Sequence, residues 1–358
     1  MRIQKLVSLM NERGFDGALI SPGTNLYYLT GLRFHEAGER PTILAVNAEG
    51  EYRLLAPSLY ENVVRNFPVT FWRDGENPYE KLAWILAELH LSKGRVLIED
   101  TMRADWLINV MKLGNRNFEF HPLSTLMKEL RMRKERGEIK LMEHAAKAVD
   151  RVFEELLSWD LVGMREKDLA LRIELRLREL ADGISFPPIV ASGENAANPH
   201  HEPGERRLRR GDVVILDFGA KWRGYCSDIT RTIALGRPEG GLLRVYEVVK
   251  EAQEKAYRAA RAGIKAKDID RVARETISAA GYGEYFTHRT GHGLGLDVHE
   301  EPYIGPDGEV TIEEGMTFTI EPGIYIPGLG GVRIEDDVAV IDGRGKRLTR
   351  AEREFIML

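Results

Sequence analysis

The first third of the chain alternates short apolar runs with amphipathic stretches. Apolar residues at helical spacing predict a helix over residues 2–13, and the run Gly17 to Ile20 predicts a buried strand. The remaining predicted strands are 42–46, 52–55 and 95–98, and the remaining predicted helices are 78–91 and 103–113. Alternation of this kind predicts a mixed or parallel sheet covered by helices.

From about residue 124 the pattern becomes helical and highly charged, and after Phe186 it becomes rich in strand-like segments. The predicted helices are 135–158, 169–180, 242–261 and 268–280, and the predicted strands are 213–218, 227–235, 316–320 and 332–340. We therefore expect a smaller α/β domain over residues 1–124 and an α+β domain over residues 125–358, with helices packed on an antiparallel sheet. The order of helix pairs and strands also suggests two similar halves.

Composition narrows the possible classes of protein. The 358 residues carry a formal net charge of −5, and no block of like charges indicates a nucleic-acid or membrane surface. We recognise neither a signal peptide nor a membrane-spanning run. The only cysteine, Cys226, excludes an intrachain disulfide and favours the cytoplasm. The charged fraction of 30%, with glutamine only at Gln4 and Gln253, favours a thermostable protein.

Four acids in or near apolar strands and one histidine between glycines stand out in the second domain. They are Asp217, Asp228, His292, Glu321 and Glu335. A hairpin across the turn Ala220 to Gly224 would place the two aspartates on one face. Taken singly, each residue also fits a turn cap, a solvated strand end or a core histidine. Buried unpaired carboxylates are costly, so the set as a whole favours two divalent cations that share a solvent ligand.

Five motifs carry a resemblance to a known family. They are Asp217-Phe-Gly-Ala, Ser227-Asp-Ile-Thr-Arg-Thr, Thr290-Gly-His-Gly-Leu-Gly, Ile320-Glu-Pro-Gly and Val332-Arg-Ile-Glu-Asp. In this order they resemble the pita-bread metallopeptidases, the family of methionine aminopeptidase, aminopeptidase P, prolidase and creatinase. The preceding domain resembles the creatinase-type N-terminal domain of the aminopeptidase P and prolidase branch. The resemblance implies a pita-bread catalytic domain, an antiparallel sheet covered by helices with pseudo-twofold symmetry.

The resemblance also implies a binuclear metal site. Asp217 would bind one ion, Asp228 and Glu335 would bridge both, and His292 and Glu321 would hold the other. Glu321 would in addition act as general base. Such a site suits hydrolysis, because two cations lower the pKa of a bridging water and polarise the scissile carbonyl. Manganese or cobalt is the expected metal, with zinc or iron as alternatives, since oxygen-rich sites follow availability.

Four histidines match positions near the substrate in the family. His299 would contact the scissile carbonyl, and His200 would steady the substrate or intermediate. His201 would take that part if the loop is shifted by one residue. His288 would line the pocket on the proline side. Each of the four is also consistent with a surface or structural histidine.

Three further residues bear on substrate choice. Arg333 and Tyr325 match residues near the substrate pocket of the family. We expect them to orient the metal ligands. Tyr303 departs from the family. In archaeal-type prolidases an arginine at this position grips the free carboxylate of a dipeptide. A phenol cannot supply that fork, so Tyr303 favours longer peptides unless Arg333, or an arginine of another domain or subunit, compensates.

The resemblance therefore implies a metal-dependent exopeptidase that hydrolyses the bond between a first residue and proline. Xaa-Pro dipeptidase (prolidase) is the preferred activity, because the two-domain chain is compact. Aminopeptidase P, acting on longer peptides, is the alternative. A non-catalytic binding protein or a creatinase-like amidinohydrolase is disfavoured because all five ligand positions are kept. The branch is commonly homodimeric, and the loop Arg33 to Glu39, with His35 and Glu36, is the candidate segment for reaching a partner's site.

Overall fold

The computed structural model describes residues 2–34, 38–113 and 117–358. It divides into two compact units, one ending at Leu130 and the other beginning at Arg131. The domain boundary predicted between residues 124 and 125 stays a prediction. His35 and Glu36 lie outside the described residues. Within the described ranges, no helix has the length and apolar character needed to cross a membrane.

The first unit is built on a six-stranded sheet. Its strands are β1 (Gly17–Ile20), β2 (Ile43–Asn47), β3 (Tyr52–Pro57), β4 (Val69–Trp72), β5 (Lys93–Ile98) and β6 (Asn117–Pro122). Its helices are α1 (Arg2–Arg13), α2 (Thr24–Thr30), α3 (Pro78–Glu88) and α4 (Ala104–Met111), and α5 (Ser124–Met132) runs across the division. In the order β4-β3-β2-β1-β5-β6, β2 is antiparallel to both neighbours and the other pairs are parallel. The predicted mixed sheet is confirmed.

Local sequence explains where these elements begin and end. Helix α3 starts at Pro78, and the Asn77 side chain caps it by accepting a hydrogen bond from the Tyr79 amide at 3.0 Å. Helix α1 ends before Gly14, whose φ of +69° is open to glycine at low cost. The prediction missed β4 and β6, the two outer strands of the sheet, because few of their residues are fully buried.

The second unit carries four helices and fourteen strands among the described residues. The helices are α6 (Arg136–Leu156), α7 (Glu166–Leu180), α8 (Leu242–Ala259) and α9 (Ala266–Ala279). The strands are β7 (Gly183–Ile184), β8 (Ile189–Ser192), β9 (Val213–Phe218), β10 (Ala220–Trp222), β11 (Tyr225–Cys226), β12 (Ile229–Ala234), β13 (Gly291–Gly293), β14 (Glu300–Ile304), β15 (Thr317–Ile320), β16 (Gly323–Ile326), β17 (Gly330–Arg333), β18 (Asp336–Ile341), β19 (Arg344–Arg347) and β20 (Ile356–Met357).

Two main sheets organise these strands, each with its own pair of helices. The first sheet has the order β20-β12-β9-β8, and its core includes Val152 of α6, Ile173 of α7 and Leu216 of β9. The second has the order β14-β13-β15-β18-β19, and its core includes Ile277 of α9 and Phe318 of β15. Helices thus cover largely antiparallel sheets in two similar halves, as the sequence predicts.

One predicted strand differs from the structure in a way that matters for the site. Residues 332–340 form two strands, because β17 pairs with β16 whereas β18 pairs with β15. The chain changes sheets at Glu335, whose amide donates to the Thr230 carbonyl of β12 at 3.1 Å. Glu335 is therefore held where the two halves meet.

Candidate metal centre and substrate pocket

The two aspartates approach each other because β9 and β12 are antiparallel neighbours. Asp217 of β9 lies opposite Thr230, and Asp228 directly precedes β12. The segment between them folds into its own small hairpin of β10 and β11. This arrangement confirms that a hairpin brings the two carboxylates to one pocket, which both of them line.

The other three predicted ligands come from adjacent strands of the second sheet. His292 lies on β13, Glu321 directly follows β15, and Glu335 directly precedes β18. Because β13 pairs with β15 and β15 pairs with β18, the three side chains meet at one edge of the sheet. A Cβ at Gly291 would lie 1.9 Å from the Thr319 carbonyl oxygen, so glycine beside the histidine permits the close approach of these strands.

Three of the five residues form the tightest group. Asp228, His292 and Glu335 offer ligand atoms that lie within 4.8 Å of one another. Glu321 is close by, with its Oε1 at 3.3 Å from His292 Nε2. Asp217 is set apart, because its Oδ2 forms an ion pair with the Arg333 guanidinium. All five residues nevertheless line one pocket of about 470 Å³.

Burial and mutual repulsion dominate the electrostatics of this pocket. Burial raises the pKa of Asp228 well above its ordinary value, and the carboxylates of Glu335 and Asp217 raise it further. Burial likewise raises the pKa of Glu335, with Glu321 and Asp217 adding to the effect. Burial raises the pKa of Glu321 to about 7. The carboxylates of Asp228, Glu335 and Glu321 thus have too little positive charge around them to offset their burial and mutual repulsion.

The pocket's donor atoms fit a divalent cation. Oδ1 of Asp217 and Oδ1 of Asp228 are buried and have no hydrogen-bond partner in the part of the chain that the structure describes. Burial lowers the pKa of His292 to about 3, which keeps its imidazole neutral and able to act as a ligand. Hard oxygen donors with one imidazole suit first-row divalent metals. A bound cation would supply the charge that the carboxylates lack.

The predicted substrate histidines separate into three situations. His299 lines the pocket with its ring centroid 4.2 Å from that of His292, and His200 also lines it. His288 lines it too, with Nε2 at 2.9 Å from the Tyr325 hydroxyl. His201 does not line the pocket, because its Nε2 lies 2.8 Å from the Glu166 carboxylate. The alternative that exchanges His201 for His200 is therefore not favoured.

Arg333 and Tyr325 form a network beneath the acids. The Arg333 guanidinium pairs with Asp217 and donates to the Tyr325 hydroxyl at 2.9 Å and to Thr230 Oγ1 at 3.1 Å. Arg333 lines the pocket, whereas Tyr325 reaches it only through Arg333 and His288. Both residues are placed to orient Asp217.

Tyr303 does not line the pocket. Its ring instead lies beneath the guanidinium of Arg289, whose Cζ is 4.1 Å from the ring centroid. Arg289 does line the pocket, together with the apolar residues Phe186 and Ile189. Sequence reasoning missed Arg289, although it stands inside the His288-Arg-Thr-Gly-His segment whose histidines were singled out.

A buried hub at Glu166 was also missed. Its carboxylate accepts hydrogen bonds from the Ser192 amide (2.8 Å), the Ser192 hydroxyl (2.7 Å) and the Asn195 side chain (3.1 Å), and it holds His201. These contacts of Glu166 attach the loop that carries His200 to helix α7. A glutamate in the first turn of a helix signals capping in sequence, so this tertiary role had no recognisable signature.

An α+β fold in which buried acids and several histidines line one pocket is typical of metal-dependent hydrolases that act on peptides. The chain belongs to metallopeptidase family M24, whose model matches residues 140–342, and residues 2–133 match the creatinase/prolidase N-terminal domain. The predicted fold class and family resemblance are confirmed. The roles assigned to single residues stay predictions.

Named relatives cover the whole chain. An Xaa-Pro dipeptidase of Pyrococcus furiosus is 37% identical, over 99% of each chain. Among solved structures, a dipeptidase from Pyrococcus horikoshii OT3 is 72% identical over 100% of both chains with a TM-score of 0.99. A prolidase from Thermococcus sibiricus is 48% identical over 100% of this chain and 98% of the other, with a TM-score of 0.96.

Proposed function

We propose that the protein is a divalent-metal-dependent Xaa-Pro dipeptidase. The observation that carries the proposal is the buried set of four carboxylates that opens onto one pocket, of which only Asp217 forms an ion pair with an arginine among the described residues. The names of the full-length relatives point to the same substrate class. Aminopeptidase P is the second candidate, and the absence of an arginine at Tyr303 is the observation that favours it.

Five residues would hold two metal ions, manganese or cobalt in the first place and zinc or iron as alternatives. Asp217 would hold one ion, His292 and Glu321 the other, and Asp228 and Glu335 both, since a carboxylate offers two oxygens. Bound metal would supply Lewis-acid polarisation of the scissile carbonyl and activation of water. The ion pair between Arg333 and Asp217 would orient one carboxylate of the set.

Proton transfer would fall to Glu321. It lines the same pocket as the other predicted ligands, where a carboxylate beside the attacking water can accept a proton and release it again. It would take the proton of the attacking water and pass it to the leaving imide nitrogen. His299 and His200, which line the same pocket, would donate hydrogen bonds to the oxyanion and to the substrate.

The rest of the pocket suits a proline ring. Phe186, Ile189 and Pro199 add apolar surface beside the acidic set. Proline's nitrogen carries no hydrogen, so an enzyme for this bond needs shape and apolar contact in place of a backbone donor contact. His288, held neutral because burial lowers its pKa to about 4, would form one wall of this part of the pocket.

The deciding experiment measures kcat/KM for Met-Pro, for a tetrapeptide beginning Met-Pro, and for Met-Ala. Chelator-treated protein is refilled with Mn²⁺ or Co²⁺ before each assay. We expect Met-Pro to be the best substrate and Met-Ala to be cleaved poorly. A preference for the tetrapeptide would favour aminopeptidase P, and failure on all three peptides with every metal would refute the proposal.

We also propose a thermostable homodimer of the cytoplasm. The charged fraction of 30% and the single, buried Cys226 support the heat resistance and the reducing compartment. No nucleic-acid or membrane partner is proposed. Light scattering would report the dimer, and a melting midpoint near about 50 °C, typical of mesophilic domains, would contradict the heat resistance.

A further inference from the structure

Two arginines line the pocket, and they differ in what neutralises them. Arg333 is buried and forms an ion pair with Asp217. Arg289 is half-buried, and among the described residues it has no carboxylate partner. Within residues 2–34, 38–113 and 117–358, its guanidinium is thus a cation at the pocket wall without a matching anion. Such a group is suited to an anionic part of a ligand.

Tyr303 fixes the position of this guanidinium. Strand β14, which carries Tyr303, pairs with β13, and Gly291 lies opposite Ile304. The pairing brings the ring of Tyr303 under Arg289, with 4.1 Å between Cζ and the ring centroid. On the backbone side, the carbonyl of Arg289 lies 2.7 Å from Nδ1 of His288. Both the guanidinium and the backbone carbonyl of Arg289 are therefore held in place.

Stacking of this kind leaves the useful edge of the guanidinium available. An aromatic ring contacts the flat face of the group, whereas its N–H donors point outward in the plane. Two parallel N–H groups match the two oxygens of a carboxylate. The stacked arginine is therefore prepared to bind a carboxylate, and the ring reduces the side-chain freedom that binding would otherwise cost.

Arg289 shares a pocket with the groups proposed to do the chemistry. It lines the same pocket as His299, His292 and Glu321. An anion bound at Arg289 would therefore lie in the pocket in which we expect the scissile bond to be held. In a dipeptide ending in proline, the free carboxylate lies one residue from that bond.

We propose that Arg289, held by Tyr303, binds the free C-terminal carboxylate of an Xaa-Pro dipeptide and so selects dipeptides over longer peptides. This inference rests on the proposed function. It also reverses the expectation drawn from the sequence, in which Tyr303 weakened dipeptide specificity. The tyrosine lacks the cation itself, but it positions one that the neighbouring segment of the same subunit provides.

The test compares metal-loaded wild type with Arg289→Met on Met-Pro and on Met-Pro amide, which lacks the negative charge. We expect the ratio of kcat/KM for the acid to kcat/KM for the amide to fall by about 10- to 100-fold, the size of one hydrogen-bonded charge contact. Arg289→Lys keeps the charge without the fork, so its ratio falls less. Tyr303→Leu removes the stack, and a fall of about 3- to 10-fold is expected.

Arg172→Met is the matched control, because it removes a guanidinium stacked on Trp159 that does not line the pocket. Its ratio should equal that of wild type. Equal losses on acid and amide in Arg289→Met would overturn the proposal, since a merely structural role would weaken both substrates alike. An unchanged ratio would overturn it as well.

A binding measurement separates this inference from the proposed function. The dissociation constants of proline and prolinamide are measured by calorimetry on metal-loaded wild type and Arg289→Met. If wild type cleaves no Xaa-Pro peptide but Arg289→Met still loses its preference for proline over prolinamide, the proposed function fails and the carboxylate site stands. If wild type shows no preference, or the variant keeps it, the carboxylate site is refuted whatever the activity.

Discussion

Glu335 and Asp336 are neighbours on the chain with opposite surroundings. The Glu335 carboxylate accepts one hydrogen bond, from Thr230 at 2.6 Å, and otherwise faces the pocket acids. The Asp336 carboxylate points the other way and accepts from Arg231 at 2.7 Å and from Gln253 at 2.9 Å, with Thr349 at 3.0 Å. Strand alternation alone sends the two side chains to different sides.

The contrast separates a structural acid from a functional one. Asp336 and Arg231 are both almost fully buried, and each supplies the charge that the other needs. Glu335 is equally buried, and burial together with the carboxylates of Glu321 and Asp217 raises its pKa well above the ordinary value. A buried acid surrounded by donors stabilises the fold, whereas a buried acid surrounded by acids calls for a cation from outside.

The largest expected effect is on activity. In Glu335→Gln, a carboxylate that would bridge both ions is lost, so kcat/KM on Met-Pro should fall at least about 1000-fold, equivalent to about 4 kcal/mol of transition-state stabilisation. The free energy of unfolding of the chelated variant should not fall, because a repulsive charge has gone while the Thr230 contact is kept. Marked destabilisation of that variant would show that Glu335 is a structural acid.

Asp336→Asn is the converse change. It leaves the Arg231 guanidinium buried without its counter-ion, which should lower the free energy of unfolding by about 3 kcal/mol. Denaturant unfolding of chelated protein measures the loss, and Asp342→Asn, which removes an exposed ion pair with Lys346, is the control, with an expected change below about 1 kcal/mol. Equal losses in the two variants would contradict the contrast between the regions.

A pH dependence of stability at Glu321 gives the smallest expected effect per pH unit. The pKa of Glu321 is 4.5 in an unfolded chain and is raised by burial to about 7, so between these values its carboxyl holds more of a proton in the folded state. This group should therefore lower the free energy of unfolding of chelated protein as pH rises from 4.5 to about 7, by up to about 1.4 kcal/mol per pH unit, while His292, whose pKa is lowered by burial, acts in the opposite direction. Comparison with Glu321→Gln isolates the contribution of Glu321: the variant should lack it, and the exposed control Glu202→Gln should keep it.

Much of this architecture follows from the sequence because burial leaves a periodic trace. Strand Val213–Phe218 and helix α8 were predicted to within two residues, since the strand is apolar except at Asp217 and the helix is amphipathic over its length. Asp217 and Asp228 were placed in one pocket because the hairpin between their strands is local. At these positions the local hydrophobic pattern and the pairing of neighbouring strands were sufficient to predict the structure.

What the sequence could not reveal depends on contacts between distant residues. The break at Glu335 follows from a switch of strand partner, and the pattern of apolar and polar residues over 332–340 does not record which strand is the neighbour. The stack of Arg289 on Tyr303 joins a residue that precedes β13 to a residue of β14, and the register of these two strands was unknown. The pairing of Asp217 with Arg333 was likewise invisible, because both residues were read only by their place in a motif.

Glu166 connects the pocket to a helix that contributes no residue to its lining. The loop that presents His200 is fastened to helix α7 by this carboxylate and by the amides of Glu166 and Lys167, which donate to carbonyls of the loop. The predicted metal ligands instead belong to strands of the two sheets or directly adjoin them. The position of His200 thus depends on contacts that lie outside the pocket.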